Sequence, residues 1–506
     1  MKKNITAVIE LASSELRLKI GEKKGDGIKI IEGLSYPLSL GADTFRTGKI
    51  SYETMYKTAE IINGFLQVTK EYGVEKIYAI ATTAVREAAN KEYFSDQIKN
   101  KTGIDINIID DNKEKNLINT LMLSVLPQKY TASAAVIHLG AGSISISLME
   151  NALLTDTMII KTGGLRLSNM FDEVGEENYH EVVREYMRPY AEAITTMLPD
   201  SLNGVIITGA DAELISALCG GKQAAGVVET DKQSFNAFYK QTKEKSPVSL
   251  EEKYGISHEK QEIITPSLII CSRILKHSKA EKIIALPITA GESLVLKGLN
   301  PTRFSALQAS LEQSAIISAW KIAAKYGADT DHTKKVETCA LMLFDKLKKL
   351  HGLGKRRRFL MQMTAILHNI GKFINQKSHS LHSYNIIRGL DIVGLDDSEK
   401  QIMAAVAFFH GNTMPDMKYE EYSSLSPEDR SVVSKLCAIL RLAVAVNSGY
   451  GEKYDDINIK LKGSKLTITL SAYKNIELEK LIFAARSELF ADVFGIKPVL
   501  VKRSVI

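Results

Sequence analysis

The stretch "HLGAGSISISL", His138–Leu148, follows the apolar run "SAAVI" and ends in strict polar/apolar alternation. It reads as a strand, a Gly/Ser turn and a second strand, and turns of this kind cradle phosphate through their backbone amides. This one opens on His138 and offers no carboxylate for a metal. A second small polar turn, Ala12-Ser13-Ser14, stands between an apolar segment and Arg17. Arg17 alternates with Leu16 and Leu18, which fits an exposed strand position as well as a phosphate contact. Asp111 and Glu114 have the spacing of a helix N-cap and its capping-box partner. Ser13 and Ser143 also suit plain turn positions. The run "KLKKLHGLGKRRRFL", Lys346–Leu360, reads as a solvated helix face that becomes a site only for a polyanion.

These residues need a scaffold, and the periodicity supplies one. Strands are expected over Ile5–Leu11, around Leu16, Leu18 and Ile20, and from about Ile28 to Leu34. Met55, Ala59, Ile62, Phe65 and Leu66 recur at helical spacing before the buried strand "KIYAIAT", and helix and strand alternate through "INIID" to a helix after Asp111. From Ala134 the plan repeats: Ala134–Leu139, the Gly/Ser turn, Ile144–Met149, a tight "ENA" turn, Leu153–Ile160, then helices and "GVIITGA". Two copies of one βββαβα unit imply two similar α/β domains, each presenting a turn to a shared cleft. Helical patterns dominate from Ser305 to about Asn447. Strands "INIKLKG" and "KLTITLS", one helix over Asn475–Gly495 and a strand "PVLVKR" then form a small α+β tail.

With 506 residues, three or four domains are expected, and 45% apolar with 25% charged residues is an ordinary globular composition. Four scattered cysteines without a CxxC pair fit buried thiols in a reducing cytoplasm. The N-terminus has no uninterrupted apolar segment, and no run is long enough to span a membrane.

At "ATTAVREAAN", Ala81–Asn90, the chain resembles the exopolyphosphatase and guanosine pentaphosphate phosphohydrolase (Ppx/GppA) family, whose pattern is ATxAxRxAxN. "TGGLRLSNMF", "ILHNIGKFIN", "HSLHSYNII" and "FFH" follow in that family's order, so the resemblance spans nearly the whole chain. It implies two actin-like (ribonuclease H-like) domains facing a cleft, residues 1–127 and 128–300, an all-α HD-like domain, 301–448, and a small α+β domain, 449–506. It implies release of terminal phosphate from inorganic polyphosphate or guanosine pentaphosphate, with Mg²⁺, in the cytoplasm, by a homodimer, with no membrane and no specific nucleic acid as partner. Glu114 falls on the family's catalytic base. Arg86, in the best-kept motif, would pair with phosphate, with a cleft carboxylate, or in a structural ion pair. Phosphate would contact Ser13, Ser14, Arg17, Gly140, Ala141, Gly142, Ser143 and Gly209.

The chain departs from the family at both turns. Where relatives carry Asp-x-Gly-Ser-Asn-Ser-x-Arg, it has Glu10, Ala12, Ser13, Ser14, Glu15 and Arg17, so Glu10 is the remaining metal candidate and Glu15 adds a charge that opposes phosphate. Where relatives carry Asp-x-Gly-Gly-Gly-Ser-Thr-Glu, it has His138, Gly140, Ala141, Gly142, Ser143 and Ser145, and both carboxylates are gone. If Ala141 needs positive φ, replacing Gly costs about 1–2 kcal/mol. Gly-Gly-Thr reads Gly209-Ala210-Asp211. In the helical domain His332, His368, His382 and His410 fall where an HD domain places histidines, but Asn369 and Asn447 stand where it needs aspartates. The alternative to a hydrolase is therefore an inactive relative that binds a polyanion or a partner as sensor or scaffold.

Overall fold

A computed structural model describes residues 5–224, 226–244, 247–449 and 453–504. The chain divides into two units, Met1–Ser314 and Ala315–Ile506.

The first unit holds two sheets. In the first, β1 (Ile5–Leu11), β2 (Glu15–Lys24), β3 (Gly27–Pro37), β4 (Lys76–Ala81) and β5 (Asn107–Ile108) lie in the order β3-β2-β1-β4-β5. β1 is buried on both faces, which is why it reads as an almost unbroken apolar run. Ile5, Ala7, Ile9 and Leu11 point into one core with Ile62, Phe65, Phe94 and Ile98 of two covering helices. Val8 points the other way, toward Leu117, Ile118 and Leu121 of the helix Asp111–Val125 and Leu294 and Val295 of the helix Ala290–Leu299. The period of two puts Glu10 on the Val8 face, so a carboxylate enters a covered layer.

The second sheet comprises β6 (Ser133–Leu139), β7 (Ile144–Glu150), β8 (Leu153–Ile160), β9 (Gly204–Thr208), β10 (Lys222–Ala224), β11 (Val227–Asp231) and β12 (Lys282–Leu286). Its order is β10-β11-β12-β9-β6-β7-β8. The run β12-β9-β6-β7-β8 repeats β5-β4-β1-β2-β3 in order and direction, and β10-β11 adds an edge hairpin. The "ENA" turn closes β7 and β8 with Asn151 and Ala152 at φ 51° and 62°, the backbone that a two-residue hairpin demands.

The helix Pro301–Lys325 leads into the second unit, whose main helices are Thr330–Lys346, Lys355–Leu367, His379–Gly389, Asp397–Phe409 and Pro427–Val446. β13 (Tyr454–Lys462), β14 (Lys465–Ala472) and β15 (Lys497–Ser504) follow in the order β13-β14-β15. One apolar core joins Leu436 and Leu440 of the helices to Leu466, Ile468 and Phe490 of the tail. The single tail helix expected over Asn475–Gly495 is two, Glu477–Arg486 and Glu488–Phe494. Ser487 interrupts it by donating its hydroxyl to the Phe483 carbonyl at 2.5 Å. The basic run is not simply a solvated face. Arg356 grips Glu399 (2.6 and 2.7 Å), Arg358 grips Asp345 (2.7 Å) and Arg357 lies 3.6 Å from Asp429, so the guanidinium groups brace helices.

Candidate active site

The two turns end β1 and β6 at equivalent places in the two sheets of the first unit and line one cavity of ≈ 50 Å³. Glu10, Ser13, Ser14, Arg17, Glu114, Gly140, Ala141, Gly142, Ser143 and Gly209 all line it, with His138, Asp211 and Thr289. Of the other residues singled out around the two turns, Arg86, Glu15, Asp111 and Ser145 do not.

At the first turn the Ala12 amide bonds the Glu15 carbonyl (3.0 Å), and the Ser13 carbonyl accepts from Gly41 (2.7 Å). The amides of Ser13 and Ser14 carry no hydrogen bond among the described residues. Arg17 is not the exposed strand residue its alternation also allowed, since it is only 9% exposed. Its Nε donates to Glu15 Oε1 at 2.8 Å and Nη1 lies 3.5 Å from Glu10. Ser35 donates to the other Glu15 oxygen. Burial raises the Glu15 carboxyl, but Arg17, the Ser35 hydroxyl and Lys260 together outweigh it and hold the group below its ordinary value. Its charge is thus matched rather than turned on a phosphate.

At the second turn Gly140 donates to the Ser143 carbonyl (3.1 Å), while the Ala141 and Gly142 amides have no partner among the described residues. Ala141 does not take positive φ, so the strain foreseen for an Ala there does not arise. Gly142 is required by close approach, because a Cβ would stand 2.7 Å from Thr83 Cγ2. Arg166, of "TGGLRLSNMF", ties the second turn to helical residues that accompany the first sheet: Nη2 donates to Glu87 (2.7 Å), Nε to the Gly142 carbonyl (3.3 Å), and the guanidinium lies 4.4 Å from the Phe45 ring centre.

Arg86 takes the structural option. It donates to Asp111 (2.6 Å), the Ile109 carbonyl (2.8 Å) and Thr83 (3.1 Å). Asp111 in turn accepts from Ser143 at 3.4 Å, and buried Lys115 donates to that same hydroxyl at 3.3 Å. Lys115 was not foreseen from the sequence. Nor is Asp111 the N-cap. Asp110 caps the helix through the Lys113 amide (2.8 Å), which frees Asp111 for Arg86 and leaves Glu114 outside any capping box.

Glu114 Oε2 is buried without a hydrogen-bond partner among the described residues. Across the cleft, His138 Nε2 stands 4.0 Å from Glu114 Oε1, and His138 Nδ1 lies 3.2 Å from Thr208 Oγ1. Burial, with Lys115 and Arg17 nearby, drives the His138 pKa well below its ordinary value, so the ring is neutral. Gly209, at φ 99°, lets the chain pass so close that a Cβ would meet the Leu139 carbonyl at 2.3 Å. Asp211, in the first turn of the next helix, is pushed up to about 6 by burial.

These residues do not form a cage for Mg²⁺. Burial raises the Glu10 carboxyl, whose oxygens face Arg17 and accept from Thr289 at 2.8 Å. Thr289 also reaches Glu292 at 2.7 Å and takes the Gly291 amide at 3.3 Å. A hydroxyl has one proton to give, so Thr289 cannot donate to both carboxylates at once. Glu292 also has Lys19 at 3.3 Å, as Glu10 has Arg17 at 3.5 Å. An acid engaged by Arg17 and Thr289 is a poor ligand for a hard cation, and no group of three or more His, Cys, Asp or Glu among the described residues is arranged to hold a metal.

In the second unit His332, His368 and His410 do come together, with ring centres 6.3 Å and 5.0 Å apart, and His379 joins at 5.3 Å. His382 makes none of these ring contacts. His368 and His410 direct Nδ1 to the carbonyls of Ala365 (2.8 Å) and Ala407 (2.6 Å). Asn447 is tied to the Ala443 carbonyl at 2.8 Å.

Residues 19–300 match the model of the Ppx/GppA phosphatase family, and residues 316–484 match Ppx/GppA phosphatase domain III. The chain belongs to the Ppx/GppA phosphatase family. An exopolyphosphatase from Cytophaga hutchinsonii is similar in fold, with a TM-score of 0.52 and 19% identity over 58% of this chain and 99% of its own. A PPX-GPPA enzyme from Aquifex aeolicus gives 0.50 and 18% over 58% of this chain and 99% of its own. No helix among the described residues is long and apolar enough to cross a membrane.

Proposed function

We propose that the chain is a phosphoanhydride hydrolase that releases the terminal phosphate of inorganic polyphosphate or guanosine pentaphosphate in the cleft between its two sheets. The observation that carries this is the meeting, in one small cavity, of unengaged amides from two facing turns, a buried arginine and a carboxylate oxygen without a partner. The cavity admits a terminal phosphoryl group and a few waters, not a whole nucleotide, so recognition there concerns the chain end.

The phosphoryl oxygens accept from the amides of Ser13, Ser14, Ala141 and Gly142 and from the hydroxyls of Ser13 and Ser143, and Arg17 supplies positive charge. Glu114 takes the proton of the attacking water. Mg²⁺, implied by the family resemblance, finds no group of three or more His, Cys, Asp or Glu ligands at this cleft among the described residues. The cytoplasm and the homodimer belong to the same proposal. All four cysteines are free and buried, and sedimentation of the pure chain tests the dimer.

The engaged Glu10 and the histidine at position 138 favour a second reading, a relative that binds polyphosphate without turning it over. Phosphate release from long-chain polyphosphate and guanosine pentaphosphate, with Mg²⁺ and with chelator, separates the two. Release by the wild type that Glu114→Gln lowers at least a hundredfold supports the hydrolase. Binding of either substrate without release supports the second reading.

A further inference from the structure

His138 Nε2 and Glu114 Oε1 are 4.0 Å apart, too far for a hydrogen bond. The spacing suits a single water between them. A water donating both protons over bonds of about 2.8 Å separates its two acceptors by about 4.4 Å at its own bond angle. Thr208 Oγ1 can accept from Nδ1, and that tautomer leaves Nε2 an acceptor, while the second Glu114 oxygen lies buried with no other partner among the described residues.

We propose that His138 Nε2 and Glu114 hold the attacking water between them, so that the histidine standing where the family resemblance places an aspartate orients the nucleophile without a metal. This rests on the hydrolase reading above. With both protons accepted, the lone pairs of the water point toward the phosphoryl group lodged between the turns. As the new O–P bond forms, one proton passes to Glu114, the bridging P–O bond breaks, and its electron pair leaves on the oxygen of the shortened chain. The second proton stays on the released phosphate, still directed at His138. The proton on Glu114 then returns to solvent.

The choice of residue follows from charge. An aspartate at position 138 would set a second anion beside Glu114 and require a cation to hold the two together. A neutral imidazole offers the same acceptor with no such requirement. Burial at 7% exposure, with Lys115 and Arg17 close by, keeps the ring neutral.

Two measurements test this on the full chain. In histidine-labelled protein, ¹⁵N NMR at pH 7, with His138 assigned by loss of its signals in His138→Asn, is expected to find Nδ1 protonated and Nε2 unprotonated. In phosphate release from long-chain polyphosphate, His138→Ala is expected to lower kcat about a hundredfold with KM within about twofold. Thr208→Val lowers kcat in the same direction, and wild-type release survives chelation. His138→Asp makes the release that remains depend on Mg²⁺. A ring protonated at Nε2, or an imidazolium, overturns the inference whether or not phosphate is released. So does a wild-type kcat in His138→Ala. No release by the wild type, with the expected NMR signature, overturns the hydrolase reading and leaves the water-holding pair standing.

Discussion

Arg86 illustrates how a residue can be indispensable to a site that it does not enter. Its partner Asp111 is 7% exposed, so removing the guanidinium strands the buried carboxylate on which the Ser143 hydroxyl is anchored. Arg86→Ala is expected to cost about 3 kcal/mol in urea melts. Arg86→Lys recovers only part, because one ammonium cannot match a fork that serves Asp111, Ile109 and Thr83 together. Most of the cleft was legible at this scale, since Ser13, Arg17, Glu114 and the Gly140–Ser143 turn stand in short motifs. The cap was not. Asp110 and Asp111 are adjacent acids, and spacing alone cannot say which one closes the helix and which turns to Arg86. Lys115, Thr208 and the Thr289 contact with Glu10 escaped because the partners are remote in sequence, where periodicity carries no signal.

The elements were read best where burial imposes a pattern. β1, β4, β6 and β9 are runs of apolar residues ended by small or polar turns, and their bounds fall within a residue or two of expectation. β10 is three residues long, shorter than the window over which alternation can be recognised. The junction of β9 with the following helix is the most exacting of these connections. Gly209→Ala combines a left-handed φ with a clash against the Leu139 carbonyl. It is expected to cost about 2 kcal/mol or more and, by moving Thr208, to lower kcat as well, both measurable on the same preparation. The helix that begins there also carries Asp211, whose carboxyl is raised to about 6. A raised acid binds its proton more tightly in the folded chain, so its contribution is full below about pH 4 and lost as pH rises through 6. Asp211→Asn is expected to flatten that slope in melts taken between pH 4 and 7.

On the scale of the molecule, the second unit has a built-in sensitivity to acid. His368 and His410 are wholly buried, and both are held far below the ordinary histidine pKa, His410 at about 3. The folded state therefore refuses protons that the unfolded chain accepts. Stability is retained above about 6.5 and lost as pH falls from there toward 3, at about 1.4 kcal/mol per pH unit for each ring. Trp320, the sole tryptophan, lies in this unit, so its fluorescence in urea at pH 7.5, 6 and 5 reads the loss, and His410→Gln should make the slope shallower.

The helix Ala290–Leu299 comes after the last strand of the second sheet yet completes the core of the first, packing on Val8, Ile80 and Leu117. Nearly three hundred residues must leave the ribosome before the opening strands of the chain gain their final cover. Until then the face of β1 that bears Val8 and Glu10 has only the helix Asp111–Val125 to cover it, and a fragment cut near residue 127 would keep that partial cover and no more. The wall of the cleft that holds Glu10 is therefore among the last parts of the first unit to form, although its strand is the first to be made.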